Sequence, residues 1–343
     1  MRAAVMRRGE LVIDTVPDPV PQEGEVLVKT LACGICGSDL HMLKYAGQMA
    51  AASQEAGMPF LFDPRRDVVM GHEYCAEVVE YGPNTSGPVK RGDRVVAMGV
   101  ILHNGTMQGV GYSNECPGGY GELMLLAAGM LLPVPDGLPT EHAAMTEPMA
   151  VGVHAVAKAR LEAGDAPLVI GCGPVGLAVI ASLKLRGAGP IVAADFSPKR
   201  RALAAHFGAE VVVDPAQERP FAAFQQAAGG RPAVVFECVG VPGLINQVMR
   251  DAPHSARIVV AGVCMEDDRI RPVFGINKEL SIQFVLGYTP DEYASALHAI
   301  AEGRIDVGPM ITGRVGIAGV PVAFETLAQP EQHAKIVVEP WRA

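Results

Sequence analysis

The chain has 343 residues, 49% of them hydrophobic, a length that suits two domains better than one core. Its net charge of −9, with no basic block, excludes a general nucleic-acid binder, because such proteins neutralise phosphates. No signal peptide is evident, and no apolar window is long enough to span a bilayer. Seven scattered cysteines indicate free thiols rather than a disulfide framework. These features predict a cytoplasmic protein with a small-molecule substrate.

The first 135 residues contain short strand-like runs separated by glycine and proline. Three examples are residues 25–30, 76–80 and 93–97. Such spacing predicts a β-rich module, a partly closed barrel.

From residue 148 onward, helical and strand-like patterns alternate. The predicted strands are 167–171, 191–195, 210–213, 233–238, 257–262 and 281–286, and the predicted helices are 148–161, 177–186, 198–207 after the N-cap Ser197, and one that starts after Thr289 and ends at 301. A last strand is predicted at 335–338. This alternation predicts an α/β fold with a doubly wound parallel sheet. We expect that domain, residues 148–287, to be inserted into a catalytic domain of residues 1–147 plus 288–343.

Several zinc-binding side chains lie near one another in the first half of the chain. Cys36 and His72 are the predicted ligands, because thiolate and neutral imidazole both suit zinc. Asp39 is placed to accept the second ring N–H of a ligand histidine and so fix its tautomer. The third ligand is Glu147 or Glu73, and zinc could exchange between these two carboxylates.

An alternative for this cluster is a redox site, because Cys33 and Cys36 form a C-x-x-C pair. No thioredoxin-like βαβ pattern surrounds the pair, so the redox alternative is disfavoured. A lone cysteine or histidine is most often a core residue. The combination of all these residues favours the metal site.

A glycine turn follows the first predicted strand of the alternating region. In this G-x-G-x-x-G pattern Gly171 allows a tight turn, Gly173 allows close approach of a pyrophosphate, and Gly176 allows tight helix packing. Asp195 ends the next strand, where a carboxylate accepts the ribose hydroxyls of NAD. Asp195 would repel a 2′-phosphate, so NAD is predicted over NADP, although the basic run 199–201 could hold that phosphate.

Four runs carry a resemblance to a known family: CGICGSDLH at 33–41, GHE at 71–73, GDRV at 92–95 and EPMAVGVHA at 147–155. They resemble the zinc-containing medium-chain dehydrogenase/reductase (alcohol dehydrogenase) family, and most closely its sorbitol, threonine and butanediol dehydrogenase branch. The resemblance covers essentially the whole chain. It implies a GroES-like catalytic domain with an inserted Rossmann domain, and a homodimer or homotetramer.

The family pattern also implies roles for individual residues. It assigns metal positions to Cys36, His72 and Glu147, with Glu73 adjacent, and a proton relay to Ser38 and His41. The turn and its flanks would line the cofactor through Gly171, Gly173, Pro174, Val175, Gly176, Asp195, Arg200, Val239, Gly262 and Leu286.

The chain departs from the family pattern in two places. Family members usually carry a four-cysteine structural zinc lobe after the GDRV strand, but residues 98–117 contain only Cys116, so one catalytic zinc and no structural zinc is predicted. The stretch 46–66 is longer than usual. It would lie near the substrate entrance as a specificity element, or form a surface excursion without a role.

The predicted reaction is reversible oxidation of a secondary alcohol, diol or polyol to a carbonyl, with hydride transfer to NAD. Zinc would lower the pKa of the substrate hydroxyl, and the proton would leave through Ser38 and the ribose hydroxyls to His41. Two alternatives are a zinc-independent enone or quinone reductase of the same fold and a catalytically silent nucleotide-binding protein.

Overall fold

The computed structural model describes residues 1–58, 62–329 and 331–342. It divides into two compact units. The first unit comprises Met1–Glu147 with Ile311–Ala343, and the second comprises Pro148–Met310.

The return of the chain to the first unit differs from the sequence expectation. We expected it at residue 288, but the contacts place it at Ile311. In the second unit, Nδ1 of His154 lies 2.8 Å from the carboxylate of Glu292, and Nε2 of His206 lies 3.5 Å from that of Asp306. Such long-range side-chain contacts are not visible in local sequence patterns, which explains the misplaced boundary.

Strands and helices follow one another along the chain with these bounds. The strands are β1 (Arg2–Arg7), β2 (Glu10–Thr15), β3 (Glu25–Gly34), β4 (Val68–Val69), β5 (Glu73–Tyr81), β6 (Arg94–Ala97), β7 (Val100–His103), β8 (Thr106–Gly109), β9 (Leu123–Ala127), β10 (Leu131–Pro133), β11 (Ala166–Ile170), β12 (Val192–Ala194), β13 (Val211–Val213), β14 (Ala233–Glu237), β15 (Arg257–Val260), β16 (Ser281–Phe284), β17 (Ile311–Val315) and β18 (Lys335–Val338). The helices are α1 (Gly37–Glu55), α2 (Thr140–Ala144), α3 (Thr146–Lys158), α4 (Pro174–Leu185), α5 (Pro198–Phe207), α6 (Pro220–Ala228), α7 (Leu244–Asp251), α8 (Pro272–Lys278), α9 (Pro290–Ala301) and α10 (Val320–Leu327).

The first unit is β-rich, as predicted. Its main sheet has the order β10–β6–β5–β3–β18–β17, and β9 also pairs with β3. A smaller sheet has the order β2–β1–β4, and β7 and β8 form a hairpin. Apolar side chains of the sheets, of α1 and of α10 pack into one core. The order β18–β3–β5 brings the last strand of the chain close to the start of β5.

The second unit is built on a parallel sheet with the order β13–β12–β11–β14–β15–β16. Strands β12 and β13 are added on one side of β11, and β14, β15 and β16 on the other, so the strand order reverses between β11 and β14. Ligands bind outside the carboxyl ends of strands at such a switch point. The predicted doubly wound α/β architecture is confirmed, and each predicted strand lies within one or two residues of an observed strand.

The helix caps follow the sequence in two cases and depart from it in one. Ser197 caps α5 by accepting from the N–H of Arg200, and Thr289 with Glu292 forms a capping box at α9. The helix that we predicted from residue 148 already begins at Thr146 as α3. Proline is tolerated in a first helical turn because its missing N–H has no partner there.

The stretch 46–66 begins as helix, because α1 continues to Glu55 with a kink at Tyr45. Residues 59–61 of this stretch lie outside the described residues. Beyond them, the side-chain amide of Asn114 binds the backbone of Asp63 at 2.7 and 3.1 Å and the carbonyl of Asp67 at 3.2 Å. Among the described helices, none combines the length and apolar character needed to cross a membrane.

Candidate active site

Three of the predicted metal-site residues come together in the first unit. The ligand atoms of Cys36, His72 and Glu73 all lie within 4.8 Å of one another. Gly71 precedes the histidine with φ at 102°, and a Cβ there would meet the Tyr120 ring at 2.8 Å. Only glycine satisfies both conditions. A thiolate, an imidazole and a carboxylate form a donor set that suits zinc.

Asp39 lies behind His72, the predicted ligand histidine. One carboxylate oxygen, Oδ2, accepts from the N–H of Cys36 at 2.9 Å and from the Tyr120 hydroxyl at 2.6 Å. The other, Oδ1, lies 3.4 Å from Nδ1 of His72. Burial opposes the charged carboxylate, but His72, Tyr120 and the Cys36 N–H together lower the pKa of Asp39. The sequence interpretation missed Tyr120.

The arrangement behind His72 is compatible with a metal ion in this cluster. Nδ1 of His72 and Oδ1 of Asp39 are buried and have no hydrogen-bond partner among the described residues. Because Nδ1 faces Asp39, Nε2 is the ring atom left to bind a metal. Burial opposes a charged imidazole, yet neighbours led by Tyr112 and Asp39 raise the pKa of His72.

Glu73 has a buried partner that sequence reasoning missed. Nζ of Lys335 lies 2.6 and 2.7 Å from the two Glu73 oxygens and donates to the Ile35 carbonyl at 3.0 Å. Both side chains are fully buried. Burial opposes the ammonium, but the Glu73 carboxylate raises the pKa of Lys335. The available signal was a lysine at the first position of the apolar strand 335–338.

Glu147 lies apart from this three-residue group. It is buried in the first turn of α3, and its carboxylate is not among the clustered ligand atoms of the described residues. Its negative charge adds to that of Glu73 in raising the pKa of Lys335. Its role as a ligand stays a prediction.

The two predicted relay residues lie one turn apart on α1. The hydroxyl of Tyr112 donates to Oγ of Ser38 at 2.6 Å, and the Tyr112 ring centroid lies 5.0 Å from that of His72. Nδ1 of His41 is buried without a hydrogen-bond partner among the described residues. Burial, with a contribution from Lys44, lowers the pKa of His41 and favours its neutral, proton-accepting form. The sequence interpretation also missed Tyr112.

In the second unit, the glycine turn adopts the expected strand–turn–helix arrangement. Gly171 has φ at 91°, and a Cβ on Gly176 would lie 1.9 Å from the Gly171 carbonyl oxygen. Asp195 accepts from the N–H of Cys172 through Oδ2 and from that of Ser197 through Oδ1, both at 2.8 Å. These bonds hold its carboxylate beside the turn.

The other predicted cofactor-lining residues lie on the same edge of the sheet. A Cβ on Gly173 would lie 3.9 Å from the Arg200 guanidinium, and Pro174 and Val175 open α4 beside it. Val239 packs against Gly171, because a Cβ added to Gly171 would lie only 2.5 Å from Cγ2 of Val239. A Cβ on Gly262 would lie 2.8 Å from the N–H nitrogen of Val239, whereas Leu286 is exposed just beyond the outer strand β16. Contact of these residues with a cofactor stays a prediction.

Comparison with known proteins agrees with both units. Residues 22–136 match the alcohol dehydrogenase GroES-like domain, and residues 174–302 match the zinc-binding dehydrogenase domain. The (R,R)-butanediol dehydrogenase of Bacillus subtilis (strain 168) is 31% identical over 96% of this chain and 97% of its own length. The chain belongs to the zinc-type medium-chain alcohol dehydrogenase family. The expected family, fold and enzyme class are therefore confirmed.

Two further relatives of this alcohol dehydrogenase bear on substrate and cofactor. A sorbitol dehydrogenase of Bacillus subtilis (strain 168) is 28% identical over 100% of this chain and 98% of its own length. A candidate zinc-binding dehydrogenase from Sinorhizobium meliloti 1021, solved with NADP bound, is 26% identical with a TM-score of 0.83 and covers 99% of both chains.

Proposed function

We propose that this alcohol dehydrogenase reversibly oxidises secondary alcohols, with vicinal diols and polyols as its preferred class, and uses zinc and NAD. The observation that carries the proposal is the group of Cys36, His72 and Glu73 with the Ser38 hydroxyl joined to it through Tyr112. The substrate class is supported by the relatives named for butanediol and sorbitol.

The residues of the first unit have separate roles in the proposed reaction. Zinc held by Cys36, His72 and one glutamate would supply a Lewis acid that lowers the pKa of an alcohol hydroxyl. Ser38 Oγ accepts the hydroxyl proton, and the neutral His41 imidazole takes up a proton for release to water. Asp39 holds the His72 ring in the orientation that presents Nε2. A nicotinamide cofactor, when bound, would supply the hydride acceptor.

The third ligand of the resting site follows from the buried ion pair. Binding of a metal by Glu73 has to compete with Lys335 for the same two oxygens. We therefore infer that Glu147 completes the ligand set and that Glu73 exchanges with it. Zinc titration of the Glu147→Gln and Glu73→Gln variants tests this assignment of the third ligand. The Glu147→Gln variant is expected to lose more zinc affinity than the Glu73→Gln variant. A larger loss for Glu73→Gln contradicts the assignment.

The preference for NAD rests on Asp195, which is anchored beside the glycine turn. A carboxylate there binds ribose hydroxyls and repels a 2′-phosphate. The NADP-bound relative shows that the fold also accommodates the phosphorylated cofactor. Initial rates with each cofactor decide between them, and a higher kcat/KM with NADP overturns the proposal.

The reaction itself is tested by NADH absorbance with primary alcohols, secondary alcohols, vicinal diols, sugars and β-hydroxy amino acids. Each substrate is assayed with and without a zinc chelator. Turnover of diols or polyols that is lost on chelation and restored by zinc supports the proposal. Zinc-loaded enzyme without turnover in either direction supports the silent nucleotide-binding alternative.

For quaternary structure we propose a homodimer or homotetramer that uses the outer strand β16. The side chains of Phe284 and Leu286 are 64% and 76% exposed at this sheet edge. An open edge with exposed apolar residues favours pairing with a second chain. Sedimentation should give a dimer or larger, and Phe284→Glu should shift it toward monomer. A monomeric wild type refutes the proposal.

We also propose a cytoplasmic location. All seven cysteines are free thiols; four are buried and three are half-buried. Such usage suits a reducing compartment. Cell fractionation of the tagged chain tests the location, and recovery from an oxidising compartment contradicts it.

A further inference from the structure

The segment that follows the β7–β8 hairpin is an ordered loop, residues 110–118. Ser113 is buried within it, where its hydroxyl donates to the side chain of Gln108 at 2.8 Å and accepts from the N–H groups of Glu115 and Cys116 at 3.0 and 3.2 Å. The N–H of Gly111 donates to the carbonyl of Cys116 at 3.2 Å. These bonds give the loop one defined shape.

The loop is seated directly on the backbone that precedes the ligand histidine. The N–H of Gly119 donates to the Gly71 carbonyl and that of Gly118 to the Val69 carbonyl, both at 2.8 Å. A Cβ on Gly111 would lie 2.7 Å from the same Gly71 oxygen. Backbone packing this close fixes the position of the loop relative to His72.

Tyr112 projects from this loop between a metal ligand and the relay hydroxyl. Its ring is tilted by 43° against the His72 ring at 5.0 Å, and its hydroxyl donates to Ser38 Oγ at 2.6 Å. A serine hydroxyl has one hydrogen and two lone pairs. With one lone pair occupied by Tyr112, Ser38 keeps one lone pair to accept a proton and one hydrogen to donate.

We propose that Tyr112 is a positioning residue for proton transfer, which orients the Ser38 hydroxyl so that its remaining lone pair faces the alcohol. The inference rests on the proposed function and deepens it. In the step, the alcohol O–H bond breaks as its proton joins Ser38 Oγ, the original Ser38 O–H bond breaks as its proton leaves toward His41, and the neutral His41 imidazole takes up one proton. Ser38 ends the step neutral, and Tyr112 keeps its own proton throughout.

The test uses Tyr112→Phe, which removes the hydroxyl and keeps the ring against His72. Loss of one hydrogen bond between neutral groups predicts a decrease of about tenfold in kcat, with the KM for NAD unchanged. Proton release in the first turnover, followed with a pH indicator, should slow by the same factor, and the solvent isotope effect on kcat should rise. The matched control is Tyr81→Phe, whose hydroxyl donates to the Val89 carbonyl at 2.9 Å; it should stay within about twofold of wild type.

A double-mutant cycle separates positioning from general packing. If Tyr112 acts through Ser38, then Tyr112→Phe should add less than about twofold to the loss caused by Ser38→Ala. Full additivity of the two losses overturns the inference, as does unchanged proton release in a folded Tyr112→Phe enzyme. Should that variant not fold, Tyr112→His, which keeps a ring donor, must retain faster proton release than Tyr112→Leu.

Failure of this inference and failure of the proposed function give different results. Absence of turnover by zinc-loaded wild type, with NADH binding intact by fluorescence, counts against the proposed function. Wild-type turnover with equal proton release in the Tyr112→Phe and Tyr81→Phe enzymes counts against Tyr112 alone. Zinc content is measured in every variant, and a content equal to that of wild type excludes an effect through the metal site.

Discussion

Two regions hold their functional groups in different ways: the predicted metal-ligand region around Cys36, His72 and Glu73, and the glycine turn of residues 171–176. In the first unit Asp39, Glu73 and Lys335 are fully buried, and their partners are distant in the chain: Tyr120 donates to Asp39, and Lys335 and Glu73 neutralise each other. In the second unit the turn consists largely of glycine backbone, and Asp195 is held by backbone N–H groups within 23 residues.

The two regions differ in the free energy that the loss of a partner costs. A buried charge that loses its partner costs several kcal/mol, whereas an N–H group on a turn at the sheet edge can still reach water. The metal-ligand region should therefore respond to single substitutions with losses of stability and metal affinity. The glycine turn should respond with changes in cofactor preference.

The largest effect is expected from Lys335→Met. It leaves the Glu73 carboxylate buried without a cation, which should lower the free energy of unfolding by about 3–5 kcal/mol. Denaturant unfolding measures the loss, and the exposed Lys90→Met serves as control. Adding Glu73→Gln should restore part of the stability. A loss equal to that of the control would falsify the ion-pair interpretation.

A smaller effect is expected from Asp39→Asn, which weakens the group that orients His72. Zinc affinity should fall by about 10–100-fold, as for other residues that hold a metal ligand in place. Competition with a chelator measures the affinity. The exposed Asp93→Asn is the control, and equal affinities for the two variants would mean that Asp39 has no orienting role.

In the nucleotide region, Asp195→Asn should raise the KM for NAD by about tenfold, because a charge-assisted hydrogen bond to ribose is lost. The relative efficiency with NADP should rise as the repulsion disappears. Asp214→Asn, at the end of the neighbouring strand β13, is the control. Unchanged cofactor preference would remove Asp195 from the binding site.

The smallest effect concerns pH. Burial and Lys44 lower the pKa of His41 below 6.5, so alcohol oxidation should decline only as the pH falls through that lower value and the imidazole becomes charged. Lys44→Met removes a positive charge, which should raise the pKa and shift the acidic limb of kcat/KM to higher pH. A pH–rate profile beside that of Lys90→Met measures the shift, and a shift to lower pH contradicts the assignment.

Local sequence patterns were sufficient for most of the fold and for the ligand motifs. Strand 335–338 and helices α5 and α9 were predicted with their observed starts, because hydrophobic periodicity and capping residues act over a few positions. Cys36, His72, Asp39 and the glycine turn were recognisable for the same reason. The predicted start of the helix 148–161 was two residues late, because α3 begins at Thr146 and continues through the residue before Pro148.

The sequence by itself determined the two-unit plan, the metal-binding residue types and the nucleotide turn. Tertiary structure decided which side chains complete them: Tyr112 reaches Ser38 across 74 residues, Tyr120 reaches Asp39 across 81, and Lys335 reaches Glu73 across 262. Such partners have no signature in a local window. They meet because strand order and close backbone packing bring distant segments together, and a buried polar group that pairs there avoids the cost of being left unsatisfied.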